Sequence, residues 1–97
     1  MKFEWDEAKN QINMQKHGLD FANAPEIFGS PMLIMLDQRP DYGEDRWIGI
    51  GLIQRRIAVV VYTEPNEETI RIISLRKALK HERTRYEQVL RDQLGTS

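Results

Sequence analysis

Between Arg71 and Tyr86 the chain gathers six lysines and arginines (Arg71, Arg76, Lys77, Lys80, Arg83 and Arg85) against one acid, Glu82. Guanidinium groups in such density suit an anionic target, because the planar fork donates paired hydrogen bonds to phosphate and keeps its charge at any physiological pH. On a helix, Arg76, Lys80 and Arg83 share one stripe, with Tyr86 a turn beyond Arg83, and Lys77, His81 and Arg85 form the stripe beside it. The plainer reading of the same run is a solvated amphipathic helix, since charged faces commonly serve solubility.

His17 stands in "KHG" at a predicted helix end. A histidine there favours the negative end of the helix dipole, and histidine is also the side chain best matched to proton transfer near neutral pH. Asp37, Asp41, Glu44 and Asp45 lack the regular alternation of a calcium loop. The chain has no cysteine, so neither a disulfide framework nor a Cys-based zinc site is available, and no metal site is expected. No Gly-rich phosphate loop, no HExxH and no nucleophile elbow is present.

The elements that must position these groups follow from local pattern. "FEWD" reads as a short strand or extended entry, and Asp6 caps a helix from Glu7 to about His17, stopped by Gly18. Ala8 and Ile12 mark its weakly apolar face. In "LDFANAPEIFG" a second, shorter helix begins near Ala22 to Ala24, because Pro25 is tolerated only in a first turn. Strands are predicted for Pro31 to Asp37, Arg46 to Ile53, Arg56 to Thr63 and Thr69 to Leu75. Gly49 and Gly51 point to close packing, and Gln54-Arg55 to a tight turn. In the last strand Ile70, Ile72 and Ser74 alternate against Arg71, Ile73 and Leu75.

A final helix is expected from about Arg76 to Gln93, capped by Ser74. Its apolar stripe comprises Leu75, Leu79, Tyr86, Val89 and Leu90, and "LGTS" frays. Short links between strands make an antiparallel meander, so residues 1–97 read as one α+β domain with the helices on one face of an antiparallel sheet.

Length and charge agree with this. Ninety-seven residues leave room for one domain. The net charge is −1, yet residues 20–46 hold six acids against two bases while residues 71–86 carry a local +5, which separates an acidic from a basic face. The N-terminus has no apolar signal region, and "MLIML" and "IAVVVY" are strand-sized, so the chain reads as a cytoplasmic protein with no membrane span.

Across residues 3 to 87 the sequence resembles the BrnT family of toxins. The resemblance rests on "FEWDEAK" (Phe3 to Lys9), "KHGLDF" (Lys16 to Phe21), "GEDR" (Gly43 to Arg46), "VVYT" (Val60 to Thr63) and "RIISLRKA" followed by Glu82, Arg83 and Tyr86. It departs from the family pattern at Pro65-Asn66, where relatives often carry an arginine, and at Leu75, where alanine is usual. The resemblance implies a RelE-like fold in which an antiparallel meander packs against two N-terminal helices and one C-terminal helix.

It also implies a metal-independent endoribonuclease without cofactor, in which the RNA's own 2′-hydroxyl attacks the adjacent phosphate. The protein then supplies cations and acid–base groups. Arg46, Arg76 and Arg83 would hold the phosphate, Glu44, Glu82 or His17 would move protons, and Tyr86 would stack or orient. Lys16, Lys77, Lys80 and Arg71 would bind RNA. The implied partner is a BrnA-type antitoxin, a ribbon-helix-helix protein through which the complex would reach its operator DNA. The rival expectation is a non-catalytic binding module or co-repressor that acts only with such a partner.

Overall fold

Local capping fixes the start of the chain. In the computed structural model, which describes residues 1–38 and 43–93, strand β1 (Lys2–Glu4) leads into helix α1 (Glu7–His17). Asp6 caps α1 by accepting from the backbone N–H of Ala8 and Lys9, and Gly18 closes it at φ 72°, a left-handed position that suits glycine. A single 3-10 turn (Phe21–Asn23) and a one-turn α2 (Pro25–Phe28) replace the expected continuous second helix, with Pro25 in the first turn as predicted.

Four strands follow: β2 (Leu33–Asp37), β3 (Arg46–Ile53), β4 (Arg56–Asn66) and β5 (Thr69–Lys77), then helix α3 (Lys80–Gln93). Asp41 and "LGTS" lie outside the described residues. β2 to β5 form the predicted antiparallel meander. The sheet as a whole is mixed, however, because β1 joins parallel to β5, giving the order β1-β5-β4-β3-β2. The wholly antiparallel sheet is thus corrected by a pairing that joins the first strand of the chain to its last.

The expectation of helices on one face is also corrected. One face packs Val60, Tyr62, Ile70, Ile72 and Leu75 against Phe21, Ala24 and Ile27 of the N-terminal segment. Rings of Phe3, Phe28 and Tyr62 stack in sequence at 5.3 and 5.0 Å. The other face packs Ile50 and Val59 against Ala78 and Tyr86, with Leu33, Leu52 and Leu90 around them. Gly51 permits the first contact: a Cβ there would meet Ile27 Cγ2 at 2.8 Å.

Two further expectations fail for one reason. β5 continues through Arg76 and Lys77, held by pairing with Val59 and Ala58, so these residues are strand and Ser74 caps nothing. Leu75 joins the core from that strand, whereas Leu79, placed on the apolar stripe, is 55% exposed. The buried face of α1 is likewise polar: it offers Asn10 and Asn13, while Ile12 is exposed. Asn13 accepts from the Leu75 N–H at 3.2 Å and donates to the Leu75 carbonyl at 2.9 Å. It thereby satisfies both backbone groups of β5 just beyond the end of β1. Among the described residues no helix is long and apolar enough to cross a membrane.

Candidate active site

β5 carries the basic residues, and a bulge decides which way they face. Arg71 and Arg76 are five positions apart, which in a regular strand would send them to opposite faces. The register shifts between Val61 and Tyr62, whose partners are Ser74 and Ile72, so one extra residue is absorbed at Ile73. Ile70, Ile72 and Leu75 consequently enter one core together, and Arg71, Ser74 and Arg76 share the opposite face. The expected alternation, with Ser74 beside Ile72 and Leu75 beside Arg71, is corrected by that bulge.

Arg76 sits where β5 meets the start of α3. Its Nη1 and Nη2 donate to Glu82 Oε1 and Oε2 at 2.8 and 2.9 Å, and Nη1 also reaches the Lys77 carbonyl at 3.3 Å. Glu82 Oε1 additionally accepts the Leu79 N–H at 2.8 Å, the reach-back from the third helical residue that closes a helix start. The Arg76 hydrogen bonds hold the Glu82 carboxyl down at about 2. A group so acidic is a fixed charge near neutral pH and shuttles no proton there.

His17, at the end of α1, lies within electrostatic range of Arg76. Burial, Lys16 and Arg76 all lower its pKa below the ordinary 6.5, so the imidazole is neutral at pH 7 and able to accept a proton. The structure therefore sets Arg76 against Glu82 and brings His17 and Lys16 within electrostatic range of Arg76, residues the sequence had scattered over sixty-odd positions. Arg76 keeps its Nε–H and one Nη2 hydrogen for a ligand, because a guanidinium has five and the described bonds use three.

A second group lies farther along β5, ~13 Å away at about 3.3 Å per residue, since the partners of Arg71 and Arg76 on β4 are Thr63 and Val59. Here Glu44, Arg46 and Arg71 line a cleft of about 540 Å³ with Glu4, Trp5, Asp6 and Lys9. Arg71 is held by Glu4, its register partner across the parallel pair, through Nε at 2.7 Å and Nη2 at 2.6 Å. Glu4 and Lys9 were not singled out in the sequence; only the β1–β5 pairing, which no local pattern announces, sets them beside Arg71.

The remaining expected residues disperse. Arg83 Nη1 donates to the Ala78 carbonyl at 2.9 Å, and Lys77 lies beside it. Lys80 is on the outward side of α3 with His81 and Arg85. Tyr86, expected to stack or orient, is 3% exposed and donates its hydroxyl to the Pro31 carbonyl at 2.7 Å. It is a core residue and presents no ring to a ligand. Among the described residues, no group of three or more His, Asp or Glu side chains is placed to hold a metal ion.

The model of the family described as "Ribonuclease toxin, BrnT, of type II toxin-antitoxin system" matches residues 5–82. The chain belongs to the BrnT family. Among solved structures it is similar to the Brucella abortus ribonuclease toxin BrnT, at 35% identity and a TM-score of 0.66, covering 82% of this chain and 99% of that one. No curated protein matches. The segment matched by the BrnT model contains His17, Glu44, Arg46, Arg71, Arg76 and Glu82, and it ends before Arg83 and Tyr86.

Proposed function

We propose that this BrnT-family chain is an RNA endonuclease that acts as a growth-inhibiting toxin in the cytoplasm and is neutralised by a cognate antitoxin. The match to the ribonuclease-toxin family over residues 5–82 carries the reading. The geometry supports a division of labour. Neutral His17 accepts the proton of the RNA 2′-hydroxyl as its oxygen attacks the adjacent phosphorus. Arg76, oriented by Glu82, stabilises charge building on the phosphate oxygens, the contribution that is usually largest. The P–O5′ bond breaks as the 5′-oxygen takes a proton from solvent water, leaving a cyclic phosphate. Arg46, Arg71 and Lys9 hold the strand in the neighbouring cleft, and Glu44 lies there as a further carboxylate.

In this scheme no step needs a metal ion. The antitoxin is a BrnA-type ribbon-helix-helix protein, and the toxin meets operator DNA only through it. Incubating the protein with RNA in excess chelator should give fragments ending in a 2′,3′-cyclic phosphate with free 5′-hydroxyls, and a 2′-deoxy residue at the cut should abolish cleavage. Cutting of the deoxy substrate would exclude the mechanism. Intact RNA and normal growth at full soluble expression would favour the binding-module reading, to which the absence of an arginine at Pro65-Asn66 lends weight.

A further inference from the structure

The turn between β3 and β4 is built from residues that fit it badly. Gln54 and Arg55 adopt φ 49° and 69°, as a two-residue hairpin turn demands, where asparagine and glycine would sit without strain. Strain held at a surface position points to what the position does. Here it carries Arg55 and Arg56 to the rim of a depression of about 420 Å³ that Lys77 and Arg83 complete from β5 and α3, over Ile57 and Ala78. Four cations line it among the described residues, and no carboxylate does. Among the described residues Arg55, Arg56 and Lys77 have no carboxylate partner, and the Arg83 bond is to a carbonyl. Glu26 touches the turn only by accepting the Gln54 N–H at 3.2 Å.

We propose that this depression is a binding subsite for a backbone phosphate of RNA, separate from the His17–Arg76 centre and adjoining it. The proposal rests on the ribonuclease reading above. Like charges converging without a counter-ion repel one another, and an anion removes that cost. Three of the four are guanidinium groups, whose forks match phosphate oxygens. Among the described residues the depression offers cations and two aliphatic side chains, with no amide or aromatic group to read a base, so the contact is sequence-independent. Arg76 Nη1 reaches the Lys77 carbonyl at 3.3 Å, so the depression and the Arg76 centre share the junction of β5 and α3.

The test is binding of a single-stranded 2′-O-methyl RNA, which cannot be cleaved by its own 2′-oxygen, to wild-type protein and to Arg55→Gly and Arg56→Gln. Fluorescence polarisation over a salt series gives the affinity and its slope. Each variant should weaken binding about tenfold and flatten the slope of log K against log salt by about 0.7. Arg55→Gly should also raise the melting temperature, because glycine relieves the turn; Arg56→Gln leaves the turn as it is. Wild-type binding matched by both variants overturns the subsite and spares the ribonuclease reading. No RNA binding by the wild type overturns both. Variants that keep RNA and lose affinity for poly-glutamate overturn the proposal in favour of an acidic protein segment.

Discussion

Glu82 grips Arg76 with both carboxylate oxygens, at 2.8 and 2.9 Å, while one of the same oxygens accepts the N–H of Leu79, the residue just ahead of α3. One carboxylate thus joins strand, helix and the proposed phosphate-binding guanidinium. The side chains are only 34% and 16% exposed, so the pair is more than a surface ornament. Arg76→Ala should abolish RNA cleavage and cost about 1–3 kcal/mol in urea denaturation, beyond the ~0.5 kcal/mol of an ordinary surface change.

Glu82 also sets an acid limit. Its folded pKa of about 2 lies below the ordinary 4.5, so its stabilisation is full above about pH 4.5 and is lost as pH falls toward 2. Unfolding free energies measured from neutral to acid pH should decline more steeply in the wild type than in Glu82→Gln across that window. Parallel curves would show that the carboxylate contributes nothing to acid stability.

His17 has the opposite chemistry and the same direction of shift. Its pKa is lowered from 6.5, so the folded protein binds a proton less readily than the unfolded chain, and stability falls as pH drops below 6.5. The imidazole resonances should titrate below 6.5, and the acid limb of cleavage should follow the same midpoint. His17→Gln should remove that limb and most of the activity. A cleavage profile untouched by the substitution would remove His17 from the chemistry.

Leu79 and Tyr86 exchange the importance their spacing suggested. Leu79→Ala, at a half-exposed position, should cost less than ~1 kcal/mol. Tyr86→Ala should cost about 3–5 kcal/mol, and Tyr86→Phe, which loses only the bond to Pro31, about 1 kcal/mol. Equilibrium denaturation of the three variants ranks them directly.

Asn13→Ala strips the Leu75 N–H and carbonyl of their shared partner in a buried place. The cost should be about 2–6 kcal/mol, since the buried donor and acceptor are each left unsatisfied at ~1–3 kcal/mol. The Leu75 amide should lose hydrogen-exchange protection before the rest of β5.

What was legible in the sequence was whatever a few neighbouring residues decide. Asp6 and Gly18 bounded α1, Pro25 opened α2, and Arg46 to Ile53 formed a strand. Arg76 and Lys77 were misread because "RKALKHER" has helical composition, while pairing with Val59 and Ala58 holds them extended. The bulge at Ile73 leaves no local mark, and it moved Leu75 into the core with Ile72. Two-sided burial was misread as one-sided, although "WIGIGLI" and "IAVVVY" are near-continuous apolar runs of the kind covered on both faces. The Arg76–His17 meeting and the Glu4–Arg71 pair arise from contacts remote in sequence, which spacing on one helix could not reveal.

The parallel seam between β1 and β5 also acts as a clock. Glu4 waits 67 positions for Arg71, and Asn13 waits 62 for Leu75. At roughly 5–20 residues per second of synthesis the first interval lasts on the order of 3–13 s. Contacts of such span are slow to form once their partners exist. No nascent chain that ends before Arg76 can bring His17 to it, so the proposed centre is not assembled on an unfinished product of that length. Chains arrested before Ile70 should stay open to protease, with α1 undocked, whereas the released chain closes and resists.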